Sequence, residues 1–139
     1  MKSWIALILG TCILIACNES TIEKVEDTYD NQQPKKVSFY QLVDGKEVKV
    51  EEKEFYANGQ LKMSGKLENG LREGEWKAYF EDGKVQSEGF FTAGKRTGSA
   101  KVYFPNGQLR YEGQYEDNEQ VGHWKFYNEK GTLVTEKDY

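Results

Sequence analysis

The sequence predicts an all-β protein, an elongated antiparallel meander of repeated β-hairpins, and three observations predict it. Gly59, Gly83, Gly107 and Gly131 recur every 24 residues, within FYANGQL, YFEDGKV, YFPNGQL and FYNEKGTL. A fixed period within ~20–50 residues is the signature of a repeat architecture. Each of these glycines sits in an aromatic-flanked, turn-like segment, and no helical periodicity appears after residue 16.

The first sixteen residues stand apart from that pattern. Met1-Lys2 is a short basic start, followed by the apolar run Trp4 to Ala16. That run is too short to cross a hydrocarbon layer of ~30 Å as a helix rising ~1.5 Å per residue. Residues 1–16 read instead as a secretory signal core. Leu14-Ile15-Ala16-Cys17 resembles the bacterial lipobox. The resemblance implies lipid attachment at Cys17 through a thioether to diacylglycerol, cleavage after Ala16, and acylation of the new amino terminus. An ordinary cleaved signal with an incidental cysteine is the alternative. Acyl chains, at ~0.8 kcal/mol per buried methylene, would anchor the protein to a membrane. Asn18 follows the cysteine, and by resemblance to Gram-negative sorting a residue other than Asp favours the outer membrane. The expected address is therefore the cell envelope.

On this reading the mature chain has no free thiol, because Cys12 leaves with the signal and Cys17 carries lipid. That excludes a disulfide, a cysteine zinc site and a cysteine nucleophile. Loss of Lys2 takes the net charge from −4 to −5. Lys and Arg are scattered rather than clustered, so no nucleic-acid footprint is present, and mild acidity serves solubility. Residues 17–36 are polar with few apolar anchors and read as a lipidated flexible tether. Residues 37–139, roughly 100 in number, suffice for one modest core. The first of them, 37–50, form a divergent leading hairpin around Asp44-Gly45 that acts as a cap.

Within the repeats, Asn58-Gly59, Asp82-Gly83 and Asn106-Gly107 read as type I′ turns, whose two central residues both need positive φ; Lys130-Gly131 is a weaker fourth copy. Two-residue turns pair Phe80 with Val85, Ala78 with Ser87 and Trp76 with Gly89. The next unit pairs Phe104 with Leu109, Val102 with Tyr111 and Ala100 with Gly113, all on one face. The other face sets Lys77 against Glu88, Lys101 against Glu112 and Lys125 against Glu136, each pair contributing ~0.2–1 kcal/mol. A three-residue turn with a bulge would slip the register by one and break both patterns. Pro105 locally favours that alternative.

Trp76 opposite Gly89 predicts an aromatic ring covering bare backbone. Ala100 replaces the tryptophan in the next unit, which is expected to pack less well, and Trp124 faces Lys137. Gly70 to Gly74, Gly94 to Gly98 and Asn118 to Gly122 read as five-residue connectors between hairpins, asparagine tolerating the left-handed conformation.

The columns Asn58-Gly59-x-Leu61, Gly65, Gly70, Gly74-x-Trp76 and Tyr79 recur as Asn106-Gly107-x-Leu109, Gly113, Gly122-x-Trp124 and Tyr127. Over about residues 53 to 135 this pattern resembles the MORN-repeat variant family, found in many bacterial secreted and lipid-anchored proteins. The resemblance implies an elongated β-meander and fixes no function. Some relatives are described as antitoxin components of toxin–antitoxin pairs, a cytoplasmic role that a lipid-anchored copy fits poorly.

Candidates for chemistry are few. His123 lies where the sister units have Glu75 and Ser99, with no oriented partner fixed by the repeat, so a solvated histidine is the simpler reading than a catalytic base. One histidine without cysteine makes a transition-metal site improbable. Glu116-Asp117-Asn118-Glu119 offers clustered oxygens for calcium but lacks the spacing of a calcium loop. Glu112 and Glu136 recur in register as a glycosidase carboxylate pair would, yet their lysine partners already account for them. Serines and threonines lack triad companions, and the glycines precede no helix that could bind phosphate. No catalytic residue, metal or cofactor is assigned. The remaining candidate is a ridge of Tyr79, Tyr103 and Tyr127 on the Lys–Glu face, at ~10 Å intervals, that could stack on sugars or contact an extended partner. The alternative is that these rings only shield the sheet. The sequence thus points to a non-enzymatic, lipid-anchored envelope protein acting as an interaction or scaffold surface for a protein or glycan. An antitoxin or immunity protein that neutralises a toxic partner is the alternative.

Overall fold

A computed structural model describes residues 21–139. The signal segment 1–16, the Cys17 lipidation site and Asn18 lie outside the described residues. The described residues form ten strands: β1 (Ile22–Thr28), β2 (Pro34–Val43), β3 (Lys46–Phe55), β4 (Leu61–Glu68), β5 (Leu71–Tyr79), β6 (Val85–Thr92), β7 (Lys95–Tyr103), β8 (Leu109–Glu116), β9 (Glu119–Tyr127) and β10 (Leu133–Asp138). They make one antiparallel meander in sequence order, with β1 and β10 at its two edges. The all-β repeat expected from the 24-residue period is the fold observed.

Over the described part of residues 17–36, from residue 21 on, the tether reading needs correction. Residues 22–28 are β1, paired with β2 from Ile22 opposite Tyr40 to Thr28 opposite Pro34. Composition weighs apolar burial, whereas a strand beside a sheet is held mainly by its ladder of backbone hydrogen bonds. The turn that joins them has the geometry of the repeat tips. Gln32 N donates to Tyr29 O and Tyr29 N to Gln33 O, both at 2.9 Å. Gln32 takes the left-handed place of the tip glycine with φ 65°. A glutamine in that place, 27 rather than 24 residues before Gly59, hid a fifth hairpin.

The turn types are the reverse of those expected. At the Phe80–Lys84 tip, Gly83 N bonds Phe80 O at 2.9 Å and Phe80 N bonds Lys84 O at 2.8 Å. Of Asp82 and Gly83 only the glycine has positive φ, 85°. This is a type I turn closed by a left-handed glycine, a three-residue loop. Pro105 fits it well, standing at the second turn position where φ near −65° is required. The slip in register that such a loop introduces is undone one residue later. Tyr79 pairs with Val85 in place of Phe80, Gln86 is skipped, and Ala78–Ser87, Lys77–Glu88 and Trp76–Gly89 pair as expected. The same compensation preserves Val102–Tyr111, Lys101–Glu112 and Ala100–Gly113. Two irregularities cancel, so the face assignment survives a wrong turn type.

Type I′ turns occupy the opposite edge. Asn69-Gly70, Ala93-Gly94 and Asp117-Asn118 have positive φ at both positions, as does the expected Asp44-Gly45. The supposed five-residue connectors are therefore tight turns, with Glu68 paired to Leu71 and Thr92 to Lys95. The second glycine of each supposed connector sits inside a strand. Around Gly74 the partners jump from Glu73–Lys66 to Trp76–Gly65, a bulge that leaves Gly74-Glu75 without a partner on β4, while both stay paired with β6.

The sheet is a single layer with a very small core. Trp124, Trp76, Val37 and Ser38 are its buried residues. The indoles of Trp76 and Trp124 each lie on a bare glycine, and for Trp76 it is not the glycine expected. Trp76 pairs with glycine on both sides, Gly65 of β4 and Gly89 of β6. Its ring leans over Gly65, where an added Cβ would lie 2.2 Å from the indole. Trp124 pairs with Lys137 as expected, and its ring covers Gly113 of the strand on the other side, where an added Cβ would lie 2.1 Å from the indole.

This asymmetry is testable by equilibrium unfolding. Gly65→Ala or Gly113→Ala displaces an indole and should cost about 3 kcal/mol or more, the scale of losing a buried tryptophan. Gly89→Ala, whose Cβ meets nothing closer than 4.0 Å, should change stability by less than about 1 kcal/mol. Equal costs at the three positions would contradict the one-sided packing.

Candidate functional site: a break in the tryptophan column

The repeat stacks Trp76, Ala100 and Trp124 in one column, 24 residues apart, and Gly65, Gly89 and Gly113 in the column they cover. Where alanine replaces tryptophan, Gly89 is left open: a Cβ added there would meet nothing closer than Ala100 Cβ and Ser99 O, at 4.0 Å. A cleft of about 320 Å³ lies there, lined among others by Trp76, Phe91, Arg96, Ala100, Tyr111 and Tyr115. Its size falls at the lower end of small-ligand sites, ~300–1,000 Å³. The expectation that the middle unit packs less well is met, and its consequence is a recess in the tryptophan face.

The groups around the cleft repeat those around the two indoles. Phe91 stands edge-on to Trp76 at 6.3 Å and Tyr139 edge-on to Trp124 at 6.0 Å. Tyr115 holds the same place, fifteen residues on, relative to Ala100. The Arg72 guanidinium lies 4.1 Å from the centre of the Trp76 ring. Its counterpart Arg96 has no indole to cover and lies 5.2 Å from the Tyr115 ring, with Nη1 3.4 Å from the Tyr115 hydroxyl. Trp76 donates its indole N–H to Lys66 O at 3.0 Å and Trp124 to Val121 O at 3.1 Å. The sequence carried the signal, Ala100 in a tryptophan column, but not the recess that follows from it.

The tyrosine ridge lies on the opposite face and is half-buried. Tyr103 donates its hydroxyl to Glu88 Oε1 at 2.7 Å and Tyr127 to Glu112 Oε1 at 3.0 Å. Burial first, then the Glu88 carboxylate, pushes the Tyr103 hydroxyl up to about 12, and the same causes with Glu112 raise Tyr127. In the Tyr79 unit Ser64 stands in the glutamate column, and the Tyr79 carbonyl accepts from Tyr56 Oη at 2.8 Å. The ridge therefore presents rings whose polar tips, at Tyr103 and Tyr127, are engaged within the sheet. Of the three expected Lys–Glu pairs, Lys77 and Glu88 approach to 3.7 Å, while Glu136 turns to His123.

His123 has partners that sequence reasoning did not supply. Sitting in the bulge after Gly122, it meets Asp138 Oδ1 through Nδ1 at 2.7 Å and Glu136 Oε1 through Nε2 at 3.2 Å. Both ring nitrogens are engaged at an exposed position, which suits an edge clamp between β9 and β10 rather than a base. Asp138, then Glu136, raises its pKa. The acidic run at 116–119 forms the β8–β9 turn. Asp117 pairs with Lys95 at 3.0 Å and Asn118 Oδ1 accepts from Arg96 N at 2.8 Å, so its oxygens do not converge on one point. At the other edge, the Tyr40 hydroxyl and then Lys49, at 3.0 Å, hold Glu26 down at about 2.

Opposite pH dependences follow at the two edges. A histidine with a raised folded pKa stabilises fully below its unfolded value of 6.5, and that contribution is lost as pH rises through the folded value. The difference in thermal midpoint between wild type and His123→Gln should therefore shrink as pH is raised above neutrality. A depressed carboxylate acts in the other sense: Glu26 contributes above 4.5 and loses its effect as pH falls towards about 2. The wild type to Glu26→Gln difference should vanish in that acid window. Differences that stay flat with pH would exclude both clamps.

No curated protein matches the chain. The family model for the MORN repeat variant matches residues 50–69, 72–93, 96–117 and 120–139. Each matched segment spans one hairpin around a tip turn, and the boundaries between successive segments fall at the type I′ turns 69–70, 93–94 and 117–118. The β1–β2 hairpin precedes the first match. With four matched repeats covering more than half of its length, the chain belongs to the MORN repeat variant family.

Proposed function

We propose that this MORN-repeat protein is a non-catalytic scaffold, anchored to a cell-envelope membrane by lipid at Cys17, whose sheet docks an envelope protein or glycan. The observation that carries the scaffold reading is the recess over Gly89 in an otherwise regular sheet, on a face lined by aromatic rings and two guanidinium groups. The ionisable groups described above are spent on neighbours within the sheet. His123, Glu26, Tyr103 and Tyr127 each engage a partner of the same chain, which favours binding over turnover. The lipid anchor rests on the apolar run and Leu14-Ile15-Ala16-Cys17, and Asn18, by resemblance to Gram-negative sorting, favours the outer membrane over the inner.

Two measurements test the two halves. Radiolabelled palmitate should enter the wild-type chain in bacterial cells and be absent from Cys17→Ala, which should leave the membrane fraction; label retained by the variant removes the anchor. The immobilised protein should retain a defined partner from detergent-solubilised envelopes. An extract depleted of nothing at micromolar bait would remove the scaffold.

A further inference from the structure

We infer that the recess over Gly89 is a receptor for a tryptophan side chain presented by a partner protein. The inference rests on the scaffold reading and names what that scaffold grips. It comes from the repeat itself, which shows twice what such a site holds. At Trp76 and Trp124 an indole lies on a glycine eleven residues earlier in sequence, Gly65 or Gly113. An aromatic ring fifteen residues later, Phe91 or Tyr139, stands edge-on to it. At position 100 the glycine floor (Gly89) and the later ring (Tyr115) are both present, and the indole is replaced by a methyl group.

Two further features match. Trp124 has Tyr115 on its near side at 5.1 Å, also edge-on; the corresponding residue for position 100 is Phe91, which lines the cleft. Arg72 covers Trp76, and Arg96, in the same column, is placed to cover an incoming ring as Arg72 does. Cation–π attraction favours an electron-rich indole over an aliphatic side chain. The indole N–H bonds a carbonyl at the bridge beside the bulge in both sister units, Lys66 of the Lys66–Glu73 pair and Val121 of the Gln114–Val121 pair. Phe90–Thr97 is the corresponding pair at the recess. A leucine or phenylalanine side chain could fill the volume but could not donate there. Tryptophan is also the side chain most enriched at interface hot spots.

The full chain, isotopically labelled, is titrated with N-acetyltryptophanamide, with a blocked peptide copying residues 122–126 and with N-acetylleucinamide, and followed by amide shifts. The tryptophan amide and the peptide should give saturable shifts centred on Gly89, Arg96 and Ala100, with the leucine amide roughly tenfold weaker. Ala100→Trp should supply the missing ring from within, raise the thermal midpoint and abolish the shifts. Arg96→Gln should weaken binding of the tryptophan amide and the peptide. If Ala100→Trp does not fold, Gly89→Leu, whose Cβ has room, should block the same shifts. Equal binding of the leucine amide, binding that survives both blocking variants, or the tryptophan amide bound while the peptide is refused would each overturn the receptor. An envelope partner still captured by Ala100→Trp would also overturn it and leave the scaffold standing.

Discussion

An indole laid on a bare glycine is the contact on which this sheet depends. A single-layer sheet has no second layer to bury a face, and among the described residues only Trp76, Trp124 and Val37 form a buried apolar core. Hydrophobic burial scales with apolar area removed from water, ~25 cal/mol per Å². A tryptophan lying flat across its neighbour strand withdraws more area than any other residue could from a flat surface. The glycine is what allows the ring so close: a Cβ at Gly65 or Gly113 would stand little more than 2 Å from it. The two residues are therefore one device, and neither column has a purpose without the other.

The edges of the ribbon complete what the rings begin. Along one edge the tip turns brace each other. Asn31 Nδ2 donates to Ala57 O at 2.9 Å, Asn58 Nδ2 to Glu81 O at 3.3 Å and Asn106 Nδ2 to Glu129 O at 2.7 Å. The Asp82 carboxylate has no N–H to give, and in that gap Lys84 Nζ reaches Pro105 O at 3.3 Å. Each asparagine also accepts from the backbone two residues on, as Asn58 Oδ1 does from Gln60 N at 2.9 Å, so one side chain shapes its own turn and ties it to the next. Units linked only to their neighbours in this way form a quasi-one-dimensional structure.

The sequence made the architecture legible because period and face assignment are robust to local error. Trp76–Gly89 and Lys77–Glu88 pair as the alternation requires even though the turn between them is of another type. Turn type was not legible, because Asn-Gly satisfies either geometry. It can be both central residues of a type I′ turn, or the third residue of a type I turn and the left-handed residue that follows. The choice lies in the register beyond the loop, a non-local matter. The lean of Trp76 was ambiguous for a similar reason, with glycine on both flanking strands. The β1–β2 hairpin was missed because Gln32 adopts a conformation usually left to glycine and asparagine. His123 appeared solitary because Glu136 and Asp138 meet it only once β10 pairs with β9.

A repeat array can lose one tryptophan without losing the fold, and that tolerance gives the break at Ala100 its meaning. In a single-core domain, replacing a buried tryptophan by alanine opens a cavity that the whole structure must absorb. Here each indole touches only its own and adjacent strands, so Trp76 and Trp124 keep their glycines whatever stands at position 100. The break leaves a recess that is open to solvent, floored by Gly89 and walled by Phe91 and Tyr115, rings that in the sister units press against an indole. Pre-formed walls lower the ordering cost of binding. The repeat thus builds rigid sites by duplication, and the omission of one side chain is enough to turn an internal contact into an external one.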